Sequence, residues 1–315
     1  MLRSRGGGSL LWSPRGDLLT AGAGIVKVTG RGGFHLVIRQ GGDGIWSPDG
    51  RRVAFVTTRN KAELLEEIPA QGGRPVGVVP VAVPPGEPLP ASPRGPQPDH
   101  RRRRLPGNKG LLYWFDPGSA DAADGQALYL IKAPGQHPIR VGGTLTGPGC
   151  VVVSPPGEFA IVNGLKRYAW QTKTLELCSP ATGACAPVRA PGCELTLDPA
   201  WSPDGRLLAF AEAPASAAAS FFQPVVAPWY AMHTLWILRS PGGAARRSPA
   251  AAARPHPSGQ PTPTAWFYEA GDALWLVPAL GGKPVRVAAP LFPAGKWPTY
   301  YGRIDWAQQF AWSAA

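Results

Sequence analysis

The side chains able to do chemistry are few and widely spread. Among 315 residues there are 20 Asp plus Glu, 5 His and 4 Cys. A metal-dependent hydrolase needs several carboxylates or imidazoles converging on one ion, and an acyl-transfer enzyme needs a nucleophile beside a base. His35, His100, His137, His233 and His256 show no ligand spacing such as i, i+4 on one element, so each reads as a surface or core residue. No G-x-S-x-G nucleophile elbow occurs, and no α/β-hydrolase domain is expected after the last repeat.

Two of the carboxylates stand in one motif. Trp46-Ser47-Pro48-Asp49-Gly50 returns unchanged as Trp201-Ser202-Pro203-Asp204-Gly205, with a looser copy at Trp12-Ser13-Pro14-Arg15-Gly16. Pro is pre-set for position i+1 of a type I turn, Asp tolerates the bridge region, and Gly accepts positive φ. The motif is therefore explained as a hairpin corner. Asp198, three residues before Trp201, and Asp305, beside Trp306, are two further carboxylates near corner tryptophans. They suit either a calcium ion at a channel or a bond to the local backbone, and the backbone reading is preferred. No catalytic residue, metal ligand or cofactor is assigned, with calcium the one ion left open.

Cys150, Cys178, Cys185 and Cys193 fall within one short segment without a C-x-x-C pair, which argues against zinc. Cys178 and Cys185 flank Ser-Pro-Ala-Thr-Gly-Ala, a hairpin turn with a strand on each side. They are placed either to form a cross-strand disulfide or to remain buried thiols. A bridge would favour a periplasmic or extracellular setting. The N-terminus, MLRSRGGGSLLWSP, has the charges of a signal peptide without its apolar stretch and favours the cytoplasm instead.

The elements that position these residues follow from the turns. Each corner lies between two apolar strands, as in Arg51-Arg52-Val53-Ala54-Phe55-Val56 and Arg206-Leu207-Leu208-Ala209-Phe210-Ala211. A second turn, usually with glycine, recurs at Gly32-Gly33, Gly72-Gly73, Gly135, Thr182-Gly183, Gly242-Gly243 and Gly281-Gly282. Six such turns over 249 positions, Gly32 to Gly281, give steps of about 50 residues, the scale of propeller blades. Each unit reads as a four-stranded antiparallel meander, and stacking such sheets around an axis buries both faces. One domain over 9–315 is expected, interrupted by Pro-, Ala- and Arg-rich surface insertions near 80–108, 213–228 and 245–263.

The net charge is +12, with a run at Arg101-Arg102-Arg103-Arg104. That run lacks interleaved aromatics and reads as a solvated loop, so nucleic acid is not the expected partner. No apolar stretch reaches 18 residues, so no membrane span is expected.

With corners and turns in place, the chain resembles the TolB-like six-bladed β-propellers, whose WD-repeat-like unit carries a Trp-Ser-Pro-Asp-Gly corner and an Ala-Phe strand. WSPDGRRVAF and WSPDGRLLAF match that unit closely, LWSPRGDLLT loosely, and the Ala-Leu-Trp-Leu…Gly-Gly-Lys-Pro-Val half matches its later strands. The resemblance covers most of 9–315 outside the insertions. It implies an all-β propeller of six four-stranded blades, or seven if the tail Arg303–Trp312 is a remnant blade. It further implies a bacterial envelope protein that is monomeric, non-enzymatic, and binds a protein or peptide at the mouth of its channel. The α/β domain that precedes the propeller in TolB has no counterpart here, so membership of the same complex is not implied.

Trp46 and Trp201 read as blade packing residues, whereas Trp229, Tyr230, Trp297, Tyr300 and Tyr301 lie in loop-like stretches beside Pro or Gly. They are either the binding surface at that mouth or covers for blade edges. A metal-dependent hydrolase of the lactonase type, or a small-ligand binder, is the alternative that other six-bladed propellers imply. Binding of nucleic acid or anionic surfaces through basic loops comes third.

Overall fold

The computed structural model describes residues 10–13, 15–21, 25–29, 33–38, 42–59, 62–78, 97–116, 124–189, 194–216, 229–230, 232–240, 242–247, 257–258, 265–269, 273–278 and 282–291. Two compact units are distinguished: 1–121 with 126–142 and 180–183, and 122–125 with 143–179 and 184–315. Among the described residues, no helix is long and apolar enough to cross a membrane.

The first unit holds three antiparallel groups of strands. The first is β1 (Leu10–Trp12), β2 (Leu18–Ala21), β3 (Ile25–Val28) and β4 (Phe34–Ile38), paired in that order. The second is β5 (Gly42–Trp46), β6 (Arg52–Arg59), β7 (Ala62–Pro69) and β8 (Val76–Gly77). The third is β9 (Gln97–Leu105), β10 (Gly110–Asp116), β11 (Gln126–Ile131) and β12 (Ile139–Thr144), whose last two residues belong to the second unit. Side chains alternate across each sheet. Thus Val53 and Phe55 of β6 join an apolar layer with Ile25 and Val37, while Ala54 joins another with Leu111, Tyr113 and Tyr129. Strand β6 is buried on both faces because an apolar layer lies on either side of it.

The second unit repeats this plan. Its groups are β13 (Val151–Val153), β14 (Phe159–Asn163), β15 (Thr174–Cys178) and β16 (Cys185–Pro187); then β17 (Glu194–Trp201), β18 (Leu207–Pro214), β19 (Thr234–Arg239) and β20 (Ala245–Arg247). The last is β21 (Pro257–Ser258), β22 (Ala265–Glu269), β23 (Leu274–Pro278) and β24 (Val285–Ala288). Leu208 and Phe210 face the layer containing Trp170 and Leu175, and Ala209 faces the layer containing Trp266 and Tyr268. Thr144 at the end of β12 pairs with Asn163 of β14.

The two units also correspond sheet by sheet. Ala127-Leu128-Tyr129-Leu130-Ile131 matches Ala273-Leu274-Trp275-Leu276-Val277, and Pro138-Ile139-Arg140-Val141 matches Pro284-Val285-Arg286-Val287. Tyr113 pairs with Tyr129 as Tyr268 pairs with Trp275.

Parts of the expected insertions are strand. Residues 97–105 of the 80–108 stretch form β9, so Arg101–Arg104 is no loop: Arg102, Arg103 and Arg104 pair with Tyr113, Leu112 and Leu111. The stretch 245–263 contributes β20 and β21, and 213–228 contributes the end of β18. These segments have poor strand propensity. A neighbouring apolar strand supplies the ladder that their own composition does not suggest.

Candidate functional site

The two full corners are built alike. Ser47 N–H donates to Arg52 O (2.9 Å) and Gly50 N–H to Ser47 O (2.8 Å); Ser202 N–H donates to Leu207 O (2.8 Å) and Gly205 N–H to Ser202 O (2.9 Å). Ser47 Oγ donates to Asp49 Oδ1 (2.6 Å) and accepts from Arg52 N–H (2.9 Å). Ser202 Oγ does the same with Asp204 Oδ1 (2.6 Å) and Leu207 N–H (2.9 Å). Each Asp also accepts from the backbone two residues on, Arg51 or Arg206, at 3.0 Å. The Ser202 hydroxyl, then the Arg206 N–H, holds the Asp204 carboxyl below the usual carboxylate range. Both acids are thus engaged as turn-forming anions.

The corners without Asp are one residue shorter. Ser13 N–H closes on Asp17 O and Ser154 N–H on Glu158 O, both at 2.7 Å. Ser13 Oγ accepts from Arg15 N–H and Asp17 N–H. In the other short corner Pro156 replaces Arg15 and brings no N–H, and the buried Ser154 Oγ has no partner among the described residues. The residue standing in for Asp reaches the next corner instead. Arg15 Nε donates to Asp49 O (2.9 Å), and Pro156 packs on Gly205.

Asp198 lies in a bulge of β17 between Leu197 and Ala200, at φ 51°. A left-handed non-glycine backbone costs on the order of 1 kcal/mol, less for Asp than for most residues. Strand β5 has its bulge in the same register, between Gly42 and Ile45, and Asp43 stands three residues before Trp46 as Asp198 does before Trp201. The pattern D-x-x-W-S-P-D-G is the sequence signal that pairs Asp43 with Asp198, and reading the corner alone misses it. Asp305 lies outside the described residues. Among the described residues, no three His, Cys, Asp or Glu side chains are placed to hold a metal ion.

The aromatic candidates divide. Trp229 and Tyr230, read either as a binding surface or as covers for blade edges, are 2% and 3% exposed. The Trp229 indole N–H donates to Pro214 O (3.0 Å), and its ring meets His233 edge-on at 4.3 Å and Trp170 at 5.8 Å. The rings of Trp229 and Tyr230 fill the core with Tyr168 and Leu195. Trp297, Tyr300 and Tyr301 lie outside the described residues, as do Pro14, Cys193 and His256. Trp46 and Trp201 are buried in the apolar layers, and Trp12 pairs with Leu18 through its backbone. Lys173, which the sequence did not single out, is buried and donates to the carbonyls of Lys166, Tyr168 and Gln171 at 2.7, 3.1 and 2.6 Å. It fastens the loop that carries Tyr168 and Trp170.

A disulfide joins Cys178 to Cys185 across β15 and β16, and Cys150 is a buried thiol. His35 Nε2 lies 2.8 Å from Gln71 O, tying β4 to the turn after β7. The exposed large apolar side chains of the described residues are Leu36 on β4, Val76 on β8, Val285 and Val287 on β24, and Leu165 and Met232 in connections.

No protein-family model and no curated protein matches the sequence. Solved structures do. A Bacteroides ovatus protein described as a dipeptidyl aminopeptidase IV aligns at TM-score 0.52 and 11% identity, over 90% of this chain and 47% of that one. The fold is a β-propeller. TolB from Acinetobacter baumannii aligns at TM-score 0.41 and 16% identity, over 78% of this chain and 57% of its own. An oligogalacturonate lyase in complex with manganese aligns at 0.47 and 13%, over 86% and 73%. The chain thus spans about half the length of the first of these and under two thirds of the second.

Proposed function

We propose that this chain is a non-enzymatic propeller scaffold that binds a protein or peptide partner through the outer, fourth strands of its sheets. One observation carries the reading. Four of the six exposed large apolar side chains among the described residues, Leu36, Val76, Val285 and Val287, lie on fourth strands. An apolar side chain on an outer strand invites association, and proteins that do not use such edges blunt them with charge or proline. The engagement of Asp49 and Asp204 in their turns supports the same view, as does the resemblance of the corner units to those of TolB-like propellers. The fold alone does not choose between binding and catalysis, so the choice rests on these side chains. A count of six blades is part of this reading, supported by four four-stranded sheets and one eight-stranded sheet among the described residues.

The test is selection of peptides from a displayed library on the immobilised full chain, repeated on Leu36→Asp, Val76→Asp and Val285→Asp. Loss of the selected peptides on one or more of these variants is expected. Equal binding to all of them, or turnover of a lactone or oligogalacturonate that depends on Asp198, would contradict the proposal.

A further inference from the structure

The fourth strands of the first and last groups carry the same irregularity. In β4 the pairs Val26↔Leu36 and Ile25↔Ile38 leave Val37 as the extra residue of a bulge. In β24 the pairs Trp275↔Arg286 and Leu274↔Ala288 leave Val287. A bulge bends the strand and re-aims the extra side chain. Val37 enters the apolar layer of the next sheet beside Trp46, Val53, Phe55 and Ile68, and is 6% exposed. Val287 occupies the equivalent place and is 50% exposed, with Val285 at 61%. Lys283 and Arg286 are exposed in the same stretch, and β24 ends its sheet. Residues 283–288 combine two exposed valines, one of them at the bulge position that Val37 fills in an apolar layer, with two cations.

We propose that β24 is the docking strand for an acidic, extended segment of a partner protein. Apolar residues of that segment cover Val285 and Val287, and its carboxylates meet Lys283 and Arg286. The proposal rests on the reading of the fourth strands as the binding surface and selects one of them. Adding a strand to a sheet edge gains main-chain hydrogen bonds, while alternate side chains confer specificity. The opposite charges fix orientation and exclude basic segments. A nucleic acid would satisfy the cations but leave both valines in water.

The probes are two synthetic peptides, one alternating Glu and Val and one alternating Lys and Val, with a single-stranded oligonucleotide as the third. Hydrogen exchange of the full chain is mapped with each. The Glu-Val peptide is expected to slow exchange across residues 283–288, and the Lys-Val peptide and oligonucleotide are not. Arg286→Glu combined with Val287→Glu should weaken the Glu-Val peptide at least about tenfold. Should that variant fail to fold, Val285→Ser must still weaken it. Protection of 283–288 in the chain alone, an equal response to Lys-Val or oligonucleotide, or unchanged affinity in the variants would overturn the proposal. Protection at Phe34–Ile38 or Val76–Gly77 instead would overturn β24 as the site while leaving the outer-strand reading standing. Binding at no fourth strand would overturn both.

Discussion

Pro156 lies against Gly205 so closely that a Cβ at position 205 would collide with the proline Cδ. The short corner before β14 is thereby seated on the full corner before β18, as Arg15 is seated on Asp49 in the first unit. Gly205 also has φ 70°, so two constraints meet in one residue. Gly16 has φ 80° and open space where a Cβ would stand, so it carries the backbone constraint alone. Gly16→Ala should cost about 1 kcal/mol. Gly205→Ala should cost roughly 1–3 kcal/mol more, through overpacking. Denaturant unfolding of both, with Pro156→Ala partly rescuing the second, checks the contact.

The serines of the corners should behave differently. Ser202→Ala removes a hydroxyl that donates to Asp204 and accepts from Leu207 N–H, and should destabilise by about 1–3 kcal/mol; Ser47→Ala should match it. Ser154→Ala removes a buried hydroxyl without a partner among the described residues, and should be neutral or stabilising. Equal losses at 154 and 202 in thermal unfolding would mean that the Ser154 hydroxyl is bonded.

Acid and alkali should act on different groups. The folded Asp204 carboxyl is held below its unfolded value, first by the Ser202 hydroxyl. Its contribution is present above the unfolded value, near 3.9, and is lost as pH falls through the folded one. Burial pushes the Tyr268 phenol up to about 12, and burial, then the neighbouring Tyr129 phenol, pushes Tyr113 higher still. A raised value stabilises fully below the unfolded value, near 10, and that contribution is lost as pH rises through the folded one. Near-ultraviolet absorbance on titration should show the Tyr268 phenol ionising only near 12, and Tyr113 later still or only with unfolding.

The disulfide closes a hairpin with a sequence separation of 7. Replacing both Cys178 and Cys185 with Ser should cost about 2–3 kcal/mol if loop-closure entropy dominates. A thiol titration of the denatured chain with and without reductant should differ by two thiols.

The corners were legible because five adjacent residues each carry turn chemistry, and the glycine turns between them gave the spacing of the sheets. Strand β9 was hidden because four arginines look like solvated loop, although their ladder depends on the apolar β10 rather than on themselves. For Trp229 and Tyr230 the position after Pro228 says nothing about where the rings point, so the sequence leaves surface and cover open. The correspondence of Pro138–Val141 with Pro284–Val287 was readable in the sequence. Its meaning depended on the pairing register, which shows Val287 as the bulged equivalent of Val37.

The central claim is that the repeated corner builds the fold while the outer strands meet the partner. It is tested most directly by the affinity of Asp49→Asn/Asp204→Asn for the Glu-Val peptide, measured alongside its melting temperature. The account predicts a lower melting temperature with unchanged affinity. An unchanged melting temperature with lost affinity would contradict it.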